Sequence, residues 1–360
     1  MSIHAFTFDP LRWLAVAAAT LALGGCGGGG GGGDGGSPPP GSVDVTAGNQ
    51  DQLSRAAVAA AQGGFVPGAV PVAGGGGSLF GGRARALSAA RSGAGLEPTA
   101  AAVWWQALQA GTGANTTGRA RPAALIGPTE DPCLVSGSTV LTIDDRDNNL
   151  MASAGDVLTV VFKACSDVAG ETLGGTMSLQ LTQVTRSPRL SFAAAATLTG
   201  LSITLPGHTA RYDGDFTMSY AEPSATLATT RMVVGKQLAV HAQTVNFDDT
   251  FTLRAGLTID SNYDAAALPP GGTVPGLTTT TSNGSVAAAS AGGYVSVTTL
   301  APLLQYDVDA FPRSGHFDVV GKNGSLQLTV LAAGKVRIDL DANGDGTFDQ
   351  TKTVDWDWIF

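Results

Sequence analysis

Two short stretches hold the residues whose types and spacing could do chemistry. In "DANGDGTFD", Asp341, Asn343 and Asp345 alternate, Gly346 follows, Thr347 offers its carbonyl, and Asp349 stands two residues further on. Oxygen donors at positions one, three, five, seven and nine around a glycine turn suit a hard divalent cation, which gathers about six to eight oxygens at about 2.3–2.6 Å. "DRDNNLMASAGD" repeats the spacing: Asp145, Asp147, Asn149, Met151, Ser153 and Asp156 occupy one, three, five, seven, nine and twelve. Each stretch has a flaw. Lys352 sits at position twelve of the first, where a bidentate acid belongs, and Leu150 takes the glycine position of the second. Calcium bound at either would be structural, pinning a turn. The competing reading is two polar turns that hold no metal.

The flanks of the first stretch, "KVRIDL" and "QTKTVDW", read as strands, so the segment resembles the DxNxDG calcium loops at bends of extracellular β proteins rather than an EF-hand. Catalytic signals are weak. Neither G-x-S-x-G nor H-E-x-x-H occurs, and His208, His241 and His316 fall in separate strand-like runs. A Ser–His–Asp group assembled in space would make an envelope hydrolase; the sequence names no residues for it, and the expectation is a protein that is not an enzyme. A net charge of −9 without a Lys/Arg cluster excludes a nucleic-acid partner.

The N-terminus supplies an address. Arg12 precedes an apolar run, Trp13 to Leu23, that is too short to cross a bilayer. Leu23-Gly24-Gly25-Cys26 then resembles the lipobox of bacterial lipoproteins. That resemblance implies cleavage before Cys26, a diacylglycerol on its sulfur and an acyl group on the new N-terminus. Gly27, in place of Asp, points to the outer membrane. The plainer alternative is an ordinary signal peptide with an incidental cysteine. With Cys26 set aside, Cys133 and Cys165 remain as an even pair for an oxidising compartment. A bridge between them would contribute roughly 3–4 kcal/mol by chain entropy. Two free thiols are the other reading, without a CxxC spacing to support it.

The elements that must position these groups follow from composition and periodicity. Fifty glycines in 360 residues are about twice the usual share. The acids are nearly all Asp, which belongs in turns. The chain divides into a signal peptide (1–25), a lipidated Cys26 with a Gly/Ala/Pro-rich tether (26–128) and a β-rich domain (129–360). Within the tether, "NQDQLSRAAVAAAQGG" and "EPTAAAVWWQALQAG" read as short helices; Trp104 and Trp105 in the second would dock on the domain or lie on lipid. From Thr129 onward, period-two alternation is broken by turn signals, and "GKNGSL" places Asn-Gly between two alternating runs. The fold class is therefore mainly β: an antiparallel meander forming a sandwich or a strongly curved sheet. The loop "NYDAAALPPGGTVPGL" is a place where it could divide in two.

The C-terminal "TVDWDWIF" puts Val354, Trp356, Trp358 and Phe360 on one strand face, and a terminal Phe resembles the closing signature of outer-membrane β-barrels. Thr/Ser-rich strands with few aromatics argue against a lipid-facing barrel, so Trp356 and Trp358 are expected to pack on the core or line a groove. In sum, the chain resembles Gram-negative outer-membrane lipoproteins with a Gly/Pro tether and a β domain. The implied partners are the membrane and an envelope protein, glycan or lipid. Two functions fit: a displayed binding or structural module stiffened by calcium, or a carrier whose half-barrel holds an acyl chain. The carrier requires an open apolar concave face.

Overall fold

The computed structural model describes residues 41–61, 124–149, 152–166, 170–245, 247–309 and 311–359. Alternating apolar and polar residues form strands almost throughout. The first run comprises β1 (Ala124–Pro132), β2 (Ser136–Asp145), β3 (Val157–Ser166), β4 (Thr172–Thr185) and β5 (Ser191–Leu205). Next come β6 (His208–Ala221), β7 (Leu227–Thr244), β8 (Asp248–Arg254), β9 (Thr258–Asp264) and β10 (Leu277–Ala288). The last are β11 (Gly293–Tyr306), β12 (Ser314–Val320), β13 (Ser325–Leu331), β14 (Lys335–Asp341) and β15 (Gln350–Asp355). All fifteen join one sheet, antiparallel at each pairing, with sequence neighbours side by side. β8 and β9 act as one broken strand: both lie between β7 and β10, and β7 uses its second half for β8 and its first half for β9. The loop before β10 closes a hairpin, since Leu277 pairs with Asp264. The sheet runs through it undivided.

A line of irregularities crosses the sheet. Register slips between Gly174 and Thr176 in β4, Leu198 and Leu201 in β5, and Gly214 and Phe216 in β6. The break between β8 and β9 continues that line, where Gly256 and Leu257 exchange backbone hydrogen bonds of 2.9 Å with Val234. Bulges bend a strand and increase its twist, so bulges aligned across neighbours fold the sheet over its own apolar face. Glycine is required where two creased strands meet. At Gly175, with φ +89°, a Cβ would lie 2.1 Å from the Gly200 carbonyl oxygen.

The folded-over face is apolar: Leu158 and Val160, Phe192 and Ala194, Val240, Phe251, Val297, Phe317, Leu328 and Ile338 are all buried. Thr, Ser, Asp and Gln alternate with them on the other face, as in "SLQLTVL" of β13. A strand in a membrane barrel has the opposite polarity, apolar outward.

The apolar side of β8 and β10–β13 is covered by a helix from near the N-terminus, α1 (Gln50–Ala61). Alanine gives it strong helix propensity, and the lack of long side chains lets a β layer close around it. Leu53, Ala56, Ala57, Val58, Ala59 and Ala60 have no solvent exposure. Its second half, Ala56–Ala61, is apolar on all sides, the pattern of a helix in an interior. It packs on β8, β10, β11, β12 and β13. The chain enters along the sheet end: Ser42 bridges Tyr294, Lys322 N–H donates to the Val43 carbonyl at 2.7 Å, and Asn323 donates to Asp44 at 2.6 Å. Asn49 fixes the turn before the helix, accepting from Thr46 N–H at 2.9 Å and donating to the Asp44 carbonyl at 2.8 Å. The segment 41–61, read from composition as part of the tether, is thus core of the β domain.

The C-terminus departs from the strand reading. β15 stops at Asp355, and Trp356–Ile359 wind into a helical turn, α2. The cause is Trp356. Its ring turns inward to 1% exposure beside Phe311, with ring centroids 6.2 Å apart, while its backbone N–H donates to the Gly334 carbonyl at 2.7 Å. Trp356 is therefore core, and it lines no groove.

Candidate functional site

The loop between β2 and β3 gathers the second acidic stretch. Antiparallel pairing of Asp144 with Val157 brings its two ends together, and Asn148 turns the chain with φ 58°, a left-handed value that Asn tolerates. Asp145 and Asp156 are buried, with exposures of 2% and 3%, whereas Asp147 is exposed. One oxygen from each of the three carboxylates lies within 4.8 Å of the others, and this is the one such acidic group among the described residues.

Buried carboxylates demand partners, and the loop supplies them from its own backbone. Arg146 N–H donates to Asp156 Oδ1 at 3.0 Å and Ser153 N–H to Asp156 Oδ2 at 2.7 Å. Asn149 N–H reaches Asp145 Oδ1 at 3.3 Å and Asp147 Oδ1 at 3.2 Å. The Ser153 hydroxyl lies 2.7 Å from Asp147 and 3.1 Å from Asp156. Burial alone would raise the Asp147 carboxyl, but hydrogen bonds led by the Ser153 hydroxyl outweigh it and hold the group below the ordinary Asp value. Asp147 is thus kept as an anion beside two more acids, and a cation held there would relieve those like charges. Asp145, Asp147 and Asp156 with the Ser153 hydroxyl offer oxygens that fit calcium rather than a softer metal, while Asn149 turns its amide nitrogen to Asp147 at 2.7 Å. Met151 lies outside the described residues.

The loop between β14 and β15 spends its side chains differently. Asp341, 4% exposed, accepts from Gly344 N–H at 2.7 Å and Gly346 N–H at 2.8 Å. Asn343 accepts from Asp345 N–H at 2.9 Å, Asp345 from Thr347 N–H at 2.8 Å and Asp349 from Ala342 N–H at 2.8 Å. Glycines expose backbone donors, and the acids cap them one by one. These side chains tie a turn that abuts the chain entry: a Cβ on Gly324 would lie 2.5 Å from the Asp341 carbonyl oxygen and 3.1 Å from that of Val45.

No family model, curated protein or solved structure matches this chain. Its own chemistry has to carry the reading.

The remaining candidate residues are dispersed. His241 stands on the exposed face near Thr250 (3.1 Å) and Asp248 (3.4 Å), an ordinary surface pairing. Cys133 and Cys165 are in disulfide geometry, with Cα atoms 5.5 Å apart. Cys26, Trp104 and Trp105 lie outside the described residues. Trp358 has a role that sequence reasoning missed: the Arg55 guanidinium of α1 lies 4.8 Å from its ring and 4.8 Å from that of Phe247, and donates to the Trp358 carbonyl at 3.2 Å. Lys352 sits 4.6 Å from the Trp358 ring and pairs with Asp51. One helix thereby clasps β8 on one side and β15 with α2 on the other, closing a sheet that has no strand-to-strand seam there. Burial lowers the Arg55 pKa, against the pull of Asp51 and Asp249. The only advance signal was "SR" inside an alanine run.

Proposed function

We propose that this chain is a lipoprotein of the outer membrane, anchored through Cys26, whose β domain is a non-enzymatic binding or structural module stiffened by calcium at the Asp145–Asp156 loop. The observation that carries the module reading is the occupancy of the apolar face beneath α1. A carrier needs an apolar face open for an acyl chain, and here α1 covers that of β8 and β10–β13 with side chains at zero exposure. The anchor reading rests on Leu23-Gly24-Gly25-Cys26. The calcium reading rests on three converging carboxylates, two of them buried.

Flotation tests the anchor: the wild-type protein is expected to float with membranes, and an exported Cys26→Ala variant to stay in the soluble fraction. Equal flotation of the two would overturn it. Native mass spectrometry of the detergent-purified domain is expected to give the bare polypeptide with its covalent lipid; a stoichiometric extra lipid would restore the carrier. Calcium should give a saturable calorimetric signal that Asp147→Asn weakens at least tenfold. Heats equal to buffer dilution in the wild type would remove the metal.

A further inference from the structure

Where the chain enters the domain decides which end of the sheet meets the bilayer. The tip of the β1–β2 hairpin, the end of β3 at Ser166, Gly170 before β4, the β5–β6 turn and Val245 just past the end of β7 lie in a row along one end. Val135 N–H bonds the Ser166 carbonyl at 2.8 Å, the Cβ position of Gly170 is 3.3 Å from Pro206, and that of Gly207 is 3.7 Å from Val245. The apolar residues of this row face solvent, with exposures of 51% for Leu134, 56% for Val135 and 81% for Val245. The described chain begins at the same end, where Ser42 bridges Tyr294 at the start of β11. Fourteen residues separate Cys26 from Gly41, so even fully extended the link reaches no more than about 50 Å. The end that receives this segment is kept close to the acyl chains. The opposite end holds the Asp145–Asp156 loop, and the β14–β15 loop with exposed Asp345 and Asp349 lies at the entry end, so acids stand at both ends and the seating is selected by the link and the apolar tips rather than by charge. Exposed Leu268 and Val274 also lie at that far end, with no anchored chain arriving beside them.

We propose that the rim formed by Leu134, Val135, Pro206 and Val245 rests in the headgroup region of the membrane that holds Cys26, so that the β domain stands on the bilayer by this end. The proposal rests on the anchor reading above. Scattered apolar tips bind a free bilayer weakly, but a short covalent link raises their effective concentration at the surface to the millimolar range or above. A weak contact then suffices to orient the domain. The Asp145–Asp156 loop is held away from the lipid, facing the aqueous side where a partner would approach.

The test uses the full acylated protein in phosphatidylethanolamine–phosphatidylglycerol vesicles. With Cys26 acylated and Cys133 bridged to Cys165, a cysteine introduced as Val245→Cys takes an environment-sensitive fluorophore; Val135→Cys and Leu268→Cys provide a second rim site and a far-end control. Brominated acyl chains are expected to quench the two rim labels at least twofold and to leave the Leu268→Cys label unchanged. Three labels unquenched on vesicles that still carry the protein overturn the seating. Equal quenching of all three also overturns it, because no end is then preferred. A protein that fails to float with the vesicles overturns the anchor reading instead.

Discussion

Leu53→Asp is expected to abolish cooperative unfolding of the β domain, although Leu53 lies in a segment that composition assigns to a tether. Leu53 has zero exposure in the first turn of α1, and the helix itself packs against β8 and β10–β13. Truncation at such a position costs about 2–5 kcal/mol through lost transfer energy and the cavity left behind. An aspartate adds the penalty of an unpaired buried charge, several kcal/mol more. The sum reaches the whole stability of a typical domain, about 5–15 kcal/mol. Leu53→Ala is the graded control, folded with a lowered urea midpoint. A Leu53→Asp protein that unfolds with the wild-type midpoint would show that α1 is dispensable and that the strands hold themselves.

The reason this role escaped the sequence is physical. "QLSRAAVAAA" was legible as a helix, and its limits, Gln50 to Ala61, fall within the stretch read that way. Its burial was not legible, because alanine buries little area and apolar residues on every side of its second half give no periodic stripe to read. What was local came through. The Asn-Gly signal marks the β12–β13 hairpin, and Leu326, Leu328 and Val330 oppose Leu340, Ile338 and Val336 in register. What depended on distant partners did not. Trp356 alternates with Val354 as a strand residue would, yet its ring is drawn into the core by Phe311, forty-five residues away, and the strand ends. The two acidic loops make the same point. Their spacings are nearly identical, and in both the acids accept backbone N–H groups, from Gly344 and Gly346 in one and from Arg146, Asn149 and Ser153 in the other. The β2–β3 loop alone among the described residues brings three carboxylates together, because β2 and β3 pair up to Asp144 and Val157 and set its two ends side by side.

Cutting the Cys133–Cys165 bond should be the other change with a large effect, and its damage should be local first. The bridge ties the end of β1 to β3, two strands away, with 32 positions of sequence between them. Among the described residues β1 is an edge strand that pairs with β2 alone, and the exposed Glu130–Lys163 ion pair at 3.0 Å is its side-chain link to β3. Beyond that ladder, the hairpin tip is held by two backbone bonds, Cys133 N–H to the Gly137 carbonyl at 3.0 Å and Val135 N–H to the Ser166 carbonyl at 2.8 Å. Chain entropy assigns the closed loop roughly 3–4 kcal/mol. Because the global unit includes twelve further strands, part of that loss should appear as fraying of the edge rather than as unfolding of the whole. Reducing the wild-type protein isolates the bond without changing a side chain. Amide exchange in β1 and β2 is then expected to rise well before that in β10–β14, and the urea midpoint to fall. Cys133→Ala/Cys165→Ala should match the reduced protein, with an added penalty for the space left around Cys165, which has no solvent exposure. Unchanged exchange at the edge, or thiols that alkylate in the unreduced protein, would mean that the two cysteines do not form the bond that holds β1.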